Sequence, residues 1–253
     1  MGLLALKLLI TPAVVVAASL AGRRWGAAIG GWLVGLPLTS GPVAAFLAAE
    51  RGPEFAAQAS VGSIAGVVAQ AGFCLGYAAA APRGWPTALF TGSLAFAACG
   101  LGLQFVALGP NALFAVSLVA LAATLWLLPR GELQSPSPPS APRWELPTRA
   151  IAVTGLVIVV TTAAAELGAR ASGAIACFPI IGAALGVFAH RAQGPGAGIA
   201  ALRGMTSALF AFAGFFLILG LALTRLPAVA AFALATAVAL AVQAATLRLA
   251  RAA

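Results

Sequence analysis

Apolar segments of about twenty residues follow one another along nearly the whole chain, parted by single arginines or Gly/Pro pairs, and a helix needs about that length to cross a bilayer. The pattern leaves no water-soluble fold open. Soluble domains carry roughly a quarter of their residues as charged side chains; here charged residues are 8% of 253 and apolar ones 62%. The chain therefore reads as an all-α polytopic membrane protein. Charges and Gly/Pro punctuation predict nine spans, near 3–21, 26–49, 57–81, 86–107, 110–128, 149–169, 172–190, 199–223 and 227–248. The segment with Lys7 reads as a retained first helix rather than a cleaved signal. Residues 129–148 hold six prolines, which forbid a regular helix and favour an extended, solvated linker.

An offset of 142 positions lays Gly31 on Gly173, Pro37 on Pro179, Phe46 on Phe188, Gly52-Pro53 on Gly194-Pro195 and Gly62 on Gly204, with no gap. Fixed spacing over that distance implies an internal duplication. The expected organisation is a first transmembrane repeat at 1–107, a connecting helix at 108–128, a proline-rich cytoplasmic linker at 129–148 and a second repeat at 149–253. Four spans per repeat plus one unpaired helix put an odd number of crossings between equivalent points, so the second repeat is expected to be inverted. Basic residues give a second test, because they accumulate on the cytoplasmic side. With the N-terminus outside and the C-terminus cytoplasmic, ten of the 14 Lys and Arg fall inside, while Lys7, Arg51, Arg170 and Arg225 fall outside. The net charge of +9 then reports topology rather than a nucleic-acid partner.

Few residues can carry chemistry. The five carboxylates are Glu50, Glu54, Glu132, Glu145 and Glu166, scattered over loops, linker and one helix end, so paired-carboxylate catalysis lacks its groups and an enzyme is not expected. His190 is the only histidine and reads as an interfacial residue at a helix end. Cys74, Cys99 and Cys177 lack metal-ligand spacing and read as small packing residues; no metal or cofactor is expected. Glu166 and Arg170, four residues apart, are either an interfacial ion pair or a coupling site.

The most specific feature is Gly35-Leu-Pro-Leu-Thr-Ser-Gly-Pro42, which interrupts a long apolar segment. Proline lacks a backbone donor and clashes with the preceding turn, so Pro37 and Pro42 must kink or break the helix. Freed carbonyls in lipid need protein or water around them. Thr39, Ser40 and Gly41 would lie in this break, and Pro179 and Gly182 in its counterpart. The two breaks either frame a substrate site or kink helices to suit packing. Gln58, Ser63 and Gln70 fall roughly on one side of the third span and either line the same site or join helices, as single glutamines such as Gln243 commonly do.

Phe178-Pro-Ile-Ile-Gly-Ala-Ala-Leu-Gly-Val-Phe-Ala-His-Arg191 and Ala201-Leu-Arg-Gly-Met-Thr-Ser-Ala-Leu-Phe210 resemble the small GlpM-type bacterial inner-membrane proteins, each roughly one repeat long. The first half, with Gly35 to Pro42 and Glu50-Arg-Gly-Pro-Glu54, is similar to the same pattern more loosely. The resemblance implies a bacterial inner membrane and a link to envelope polysaccharide production. The expected function is transport or flipping of a small, weakly polar or lipid-linked solute by alternating access at the two breaks. A non-transporting scaffold or accessory subunit of an envelope-biosynthesis machine is the alternative. Membrane lipids, such a solute, and either a second copy of the chain or an envelope-biosynthesis protein are the expected partners.

Overall fold

A computed structural model describes residues 24–34, 40–106, 108–129 and 177–252, together with isolated positions between 13 and 21, Pro37, Ile151 and Gly155. Among the described residues every regular element is helical: α1 (Ala27–Val34), α2 (Ser40–Arg51), α3 (Pro53–Ala80), a 3-10 turn (Ala81–Arg83), α4 (Trp85–Gln104), α5 (Pro110–Leu127), α6 (Ile180–Gln193), α7 (Pro195–Ala222) and α8 (Ala228–Ala252). Five helical stretches among the described residues are long and apolar enough to cross a membrane: Pro53–Arg83, Trp85–Leu103, Pro110–Leu127, Pro195–Ala222 and Ala228–Thr246. They match five of the nine expected spans.

The other four differ in kind. The expected spans 3–21 and 149–169 lie almost wholly outside the described residues. The expected span 26–49 is not one helix, because α1 stops at Val34, Pro37 sits in a turn and α2 starts at Ser40. Proline cannot donate into the ladder, and the chain restarts past it. In the expected span 172–190 the described part begins with non-helical Cys177 to Pro179, and α6 then runs to Gln193. At 12 and 14 residues, α2 and α6 are too short to cross a core of about 30 Å at about 1.5 Å per residue.

Two helices form the centre. In α3 and α7, 67% of the spanning window is buried within the protein, against 17% in α4 and 22% in α5 and α8. The outer three therefore present most of their surface outward, with Phe90, Leu94, Val119 and Trp126 exposed. Small residues set the approach between α3 and α4. A Cβ on Gly76 would lie 2.9 Å from the Thr91 carbonyl, and one on Gly92 would lie 3.0 Å from the Phe73 carbonyl. Close backbone approach of this kind replaces the hydrophobic drive that lipid does not supply.

α3 and α7 are antiparallel. A Cβ on Gly220, near the end of α7, would lie 3.3 Å from Ser60, near the start of α3. Thr206 Oγ1 is 3.5 Å from Cys74 Sγ, and Tyr77, near the end of α3, faces Gly198, near the start of α7. Both helices have 28 residues, and their ends coincide under the offset of 142. Each starts with proline behind a glycine of unusual backbone: Gly52 at φ 90°, ψ 164° and Gly194 at φ 90°, ψ 176°. Only glycine occupies that region without strain, so each Gly-Pro pair is both a corner and a helix start.

α5, the connecting helix, packs on both central helices. Its C-terminal carbonyls have no intrahelical donor, and Arg203 of α7 supplies one: Nη1 donates to Leu125 O at 2.6 Å and to Leu128 O at 2.8 Å. Arg203 thus shares one end of the bundle with Arg83, Tyr77 and His190. Glu50, Arg51, Glu54 and Arg225 occupy the other end, where α3 starts and α7 finishes.

Gly52→Ala and Gly194→Ala are each expected to destabilise the folded protein by about 1–3 kcal/mol, because alanine is strained at φ 90°. Gly196→Ala, one residue into α7 with open space at its Cβ, is expected to be neutral or mildly stabilising. Denaturant unfolding in detergent distinguishes the three.

Candidate functional site

The first break is closed by its own backbone. Gly41 N–H donates to the Pro37 carbonyl at 2.8 Å, which bridges the interruption and starts α2. Gly41 is buried because it faces another helix: a Cβ there would lie 3.5 Å from Phe215 Cζ of α7. Ser40 is half-buried at the first position of α2. Thr39 lies outside the described residues. Pro42 belongs to the first turn of α2, as a residue without an N–H can.

The second break has a related construction. Pro179 precedes α6 at φ −78°, ψ 58°, and its carbonyl accepts from Ala183 N–H at 2.6 Å. Cys177 reaches across to α3, where its thiol donates weakly to the Ser63 carbonyl at 3.6 Å. Phe178 stacks edge-on against Phe73 of α3 at 6.0 Å and Phe96 of α4 at 5.1 Å. Phe73 and Phe215 occupy equivalent positions under the offset of 142. Each break therefore rests on the same aromatic position of the opposite half's central helix.

The structure thus brings Ser63 together with the second break and Gly41 with α7. The two breaks differ in filling. A Cβ on Gly182 would overlap the Met205 thioether, so that sulfur occupies the space beside the second break. The offset puts Ser40 and Ser63 at the positions matching Gly182 and Met205, so small hydroxylic residues stand in the first half where glycine and a thioether stand in the second.

Other expected residues separate. Gln58 is exposed while Ser63 and Gln70 are buried. Five residues turn a helix by about 140° from facing, whereas seven return almost to the start, so Gln58 leaves the face that Ser63 and Gln70 share. The hydroxyls near the centre bond their own helices: Ser60 donates to Ala56 O at 2.8 Å, Ser63 to Ala59 O at 3.1 Å and Thr206 to Leu202 O at 2.8 Å. Glu166 and Arg170 lie outside the described residues.

Sequence reading missed one pairing. His190, expected at an interface, is buried, and its Nδ1 lies 3.1 Å from the hydroxyl of buried Tyr77. They are the only histidine and the only tyrosine of the chain. Gly198 makes room for the pair, since a Cβ there would lie 3.0 Å from His190 Cβ and 3.4 Å from the Tyr77 oxygen. The next residue, Arg191, places its guanidinium 5.6 Å from the Trp85 ring. The equivalents of Tyr77 and His190 under the offset are Leu219 and Ala48, so the matching positions carry apolar side chains.

Tyr77→Phe is expected to lower stability by about 1–2 kcal/mol, since the ring still packs but His190 loses its partner. Gly182→Ala and Met205→Ala are each expected to destabilise, the first by overpacking and the second by leaving a cavity. Their double substitution should cost less than the sum by about 0.5–3 kcal/mol, measured as a double-mutant cycle. No family model, no curated protein and no solved structure matches this chain.

Proposed function

We propose that the chain is a secondary transporter or flippase of the bacterial inner membrane, moving a small, weakly polar or lipid-linked solute by alternating access. In this reading it has nine spans, with the N-terminus outside, the C-terminus cytoplasmic and two repeats of inverted topology. One observation carries it: two 28-residue helices related by the 142-residue offset run antiparallel, and each supports the proline break of the other half through Phe73 or Phe215. Related half-structures packed in opposite senses around broken helices provide two exchangeable arrangements of one seam. The charge distribution supports the orientation. Arg83, Arg191 and Arg203 gather at the end assigned to the cytoplasm, and both described acids, Glu50 and Glu54, stand at the other. The GlpM-type resemblance belongs to the same proposal and points to envelope polysaccharide production.

A scaffold role is the second reading. It is favoured by Ser60, Ser63 and Thr206, whose hydroxyls are satisfied within their own helices.

Ser40→Cys, in a chain with Cys74, Cys99 and Cys177 replaced by alanine, separates the two. An impermeant maleimide applied to right-side-out and inside-out vesicles is expected to label position 40 from both sides. Labelling from neither side removes alternating access and leaves the scaffold.

A further inference from the structure

Trp32 lies in α1, three residues before the first break begins at Gly35, and Gln243 lies in α8. The two meet through the Gln243 amide, whose Nε2 donates to the Trp32 carbonyl at 3.5 Å. Two further atoms of the same side chains are left over. The indole Nε1 of Trp32 and the Oε1 of Gln243 are both buried and both without a hydrogen-bond partner, and Gln243 is only 4% exposed. Buried polar groups are nearly always paired, because an unmade hydrogen bond inside protein is strongly unfavourable. One orphan donor and one orphan acceptor on two touching residues specify the chemistry of what completes them.

We infer that Trp32 and Gln243 form a polar subsite for the hydroxyl-bearing, uncharged end of an amphipathic ligand. An anion accepts from the indole N–H but repels the glutamine oxygen. A cation donates to the glutamine oxygen but has nothing to accept with. Hydroxyl groups meet both needs, since each can accept from an indole N–H or donate to a glutamine oxygen. The backbone that carries the indole is fixed against α7, since a Cβ on Gly31 would overlap the Ala201 carbonyl. The inference deepens the transport reading, on which its substrate role rests, by naming a neutral alcohol, polyol or sugar hydroxyl as the group recognised beside the first break.

The test uses the full chain in phosphatidylcholine nanodiscs, with Trp25, Trp85, Trp126 and Trp144 replaced by phenylalanine so that Trp32 alone fluoresces. The probes are 6-bromo-1-hexanol and its methyl ether, which keeps the acceptor oxygen and loses the donor. Saturable quenching is expected, with half-saturation roughly threefold to tenfold lower for the alcohol. Gln243→Leu is expected to abolish the difference. Equal or unsaturable quenching by alcohol and ether overturns the subsite, and that comparison needs no substitution at Gln243. Competition by dioleoylglycerol assigns the hydroxyl to a lipid and competition by glucose to a soluble sugar; displacement by neither overturns the assignment to an amphipathic or sugar ligand. Alcohol preference without two-sided labelling at position 40 leaves the subsite standing and removes transport. The converse removes the subsite alone.

Discussion

The antiparallel contact between α3 and α7 is the interaction on which the rest of the bundle depends. Lipid tails are as apolar as leucine, so membrane helices associate through close packing and satisfied polar groups rather than through expulsion of water. The two helices divide the work by size. α3 buries mostly small residues, including Ala56, Ala57, Ser60, Gly62, Ser63, Ala65 and Gly66, whereas α7 buries Leu202, Met205, Leu209, Phe212, Phe215 and Phe216. The remaining helices attach to this pair: α1, α6 and α8 to α7, α2 and α4 to α3, and α5 to both.

At each break a described residue lies against that pair, Gly41 against Phe215 of α7 and Cys177 against Ser63 of α3. Irregular backbone at membrane depth survives only where protein or water receives its freed groups. Gly41 returns its N–H to Pro37, Ala183 returns its own to Pro179, and Cys177 finds a carbonyl on α3. Because Phe215 meets one break and Phe73 packs beside the other, each interruption is supported by a rigid helix from the other half. The partnership is reciprocal.

Much of this fold was legible in the sequence, and the rest was hidden for identifiable reasons. Five spans could be read because length and apolar character settle what crosses a membrane. The Gly52-Pro53 and Gly194-Pro195 pairs stand out in the sequence, although the helices begin at Pro53 and Pro195, ahead of the expected starts at 57 and 199, and Pro37 announces its break because it lacks a backbone donor. What failed needed angle or distance. Gln58 was grouped with Ser63, and a five-residue step does not close on one helix face. The start of α6 at Ile180 followed from Pro179, but its continuation to Gln193 did not follow from hydropathy. His190 looked interfacial because its neighbours are Arg191 and a loop, and nothing local reveals a tyrosine 113 positions away. Charge counting groups Arg203 with the other basic residues, while the Leu125 and Leu128 carbonyls that hold it are a long-range fact.

The unequal ends of the seam have an energetic consequence. On the proposed inverted arrangement, a duplicated chain begins with two conformations of equal energy, each closed at one end and open at the other. Divergence at single positions breaks that degeneracy. Tyr77 and His190 join one end by a buried hydrogen bond, while Ala48 and Leu219 at the matching positions have no side-chain group that could form one. A difference of about 1 kcal/mol shifts such an equilibrium roughly fivefold. On that proposal the hydrogen bond favours the arrangement closed at the arginine-bearing end, and two side chains suffice to give a nearly symmetric chain a preferred state.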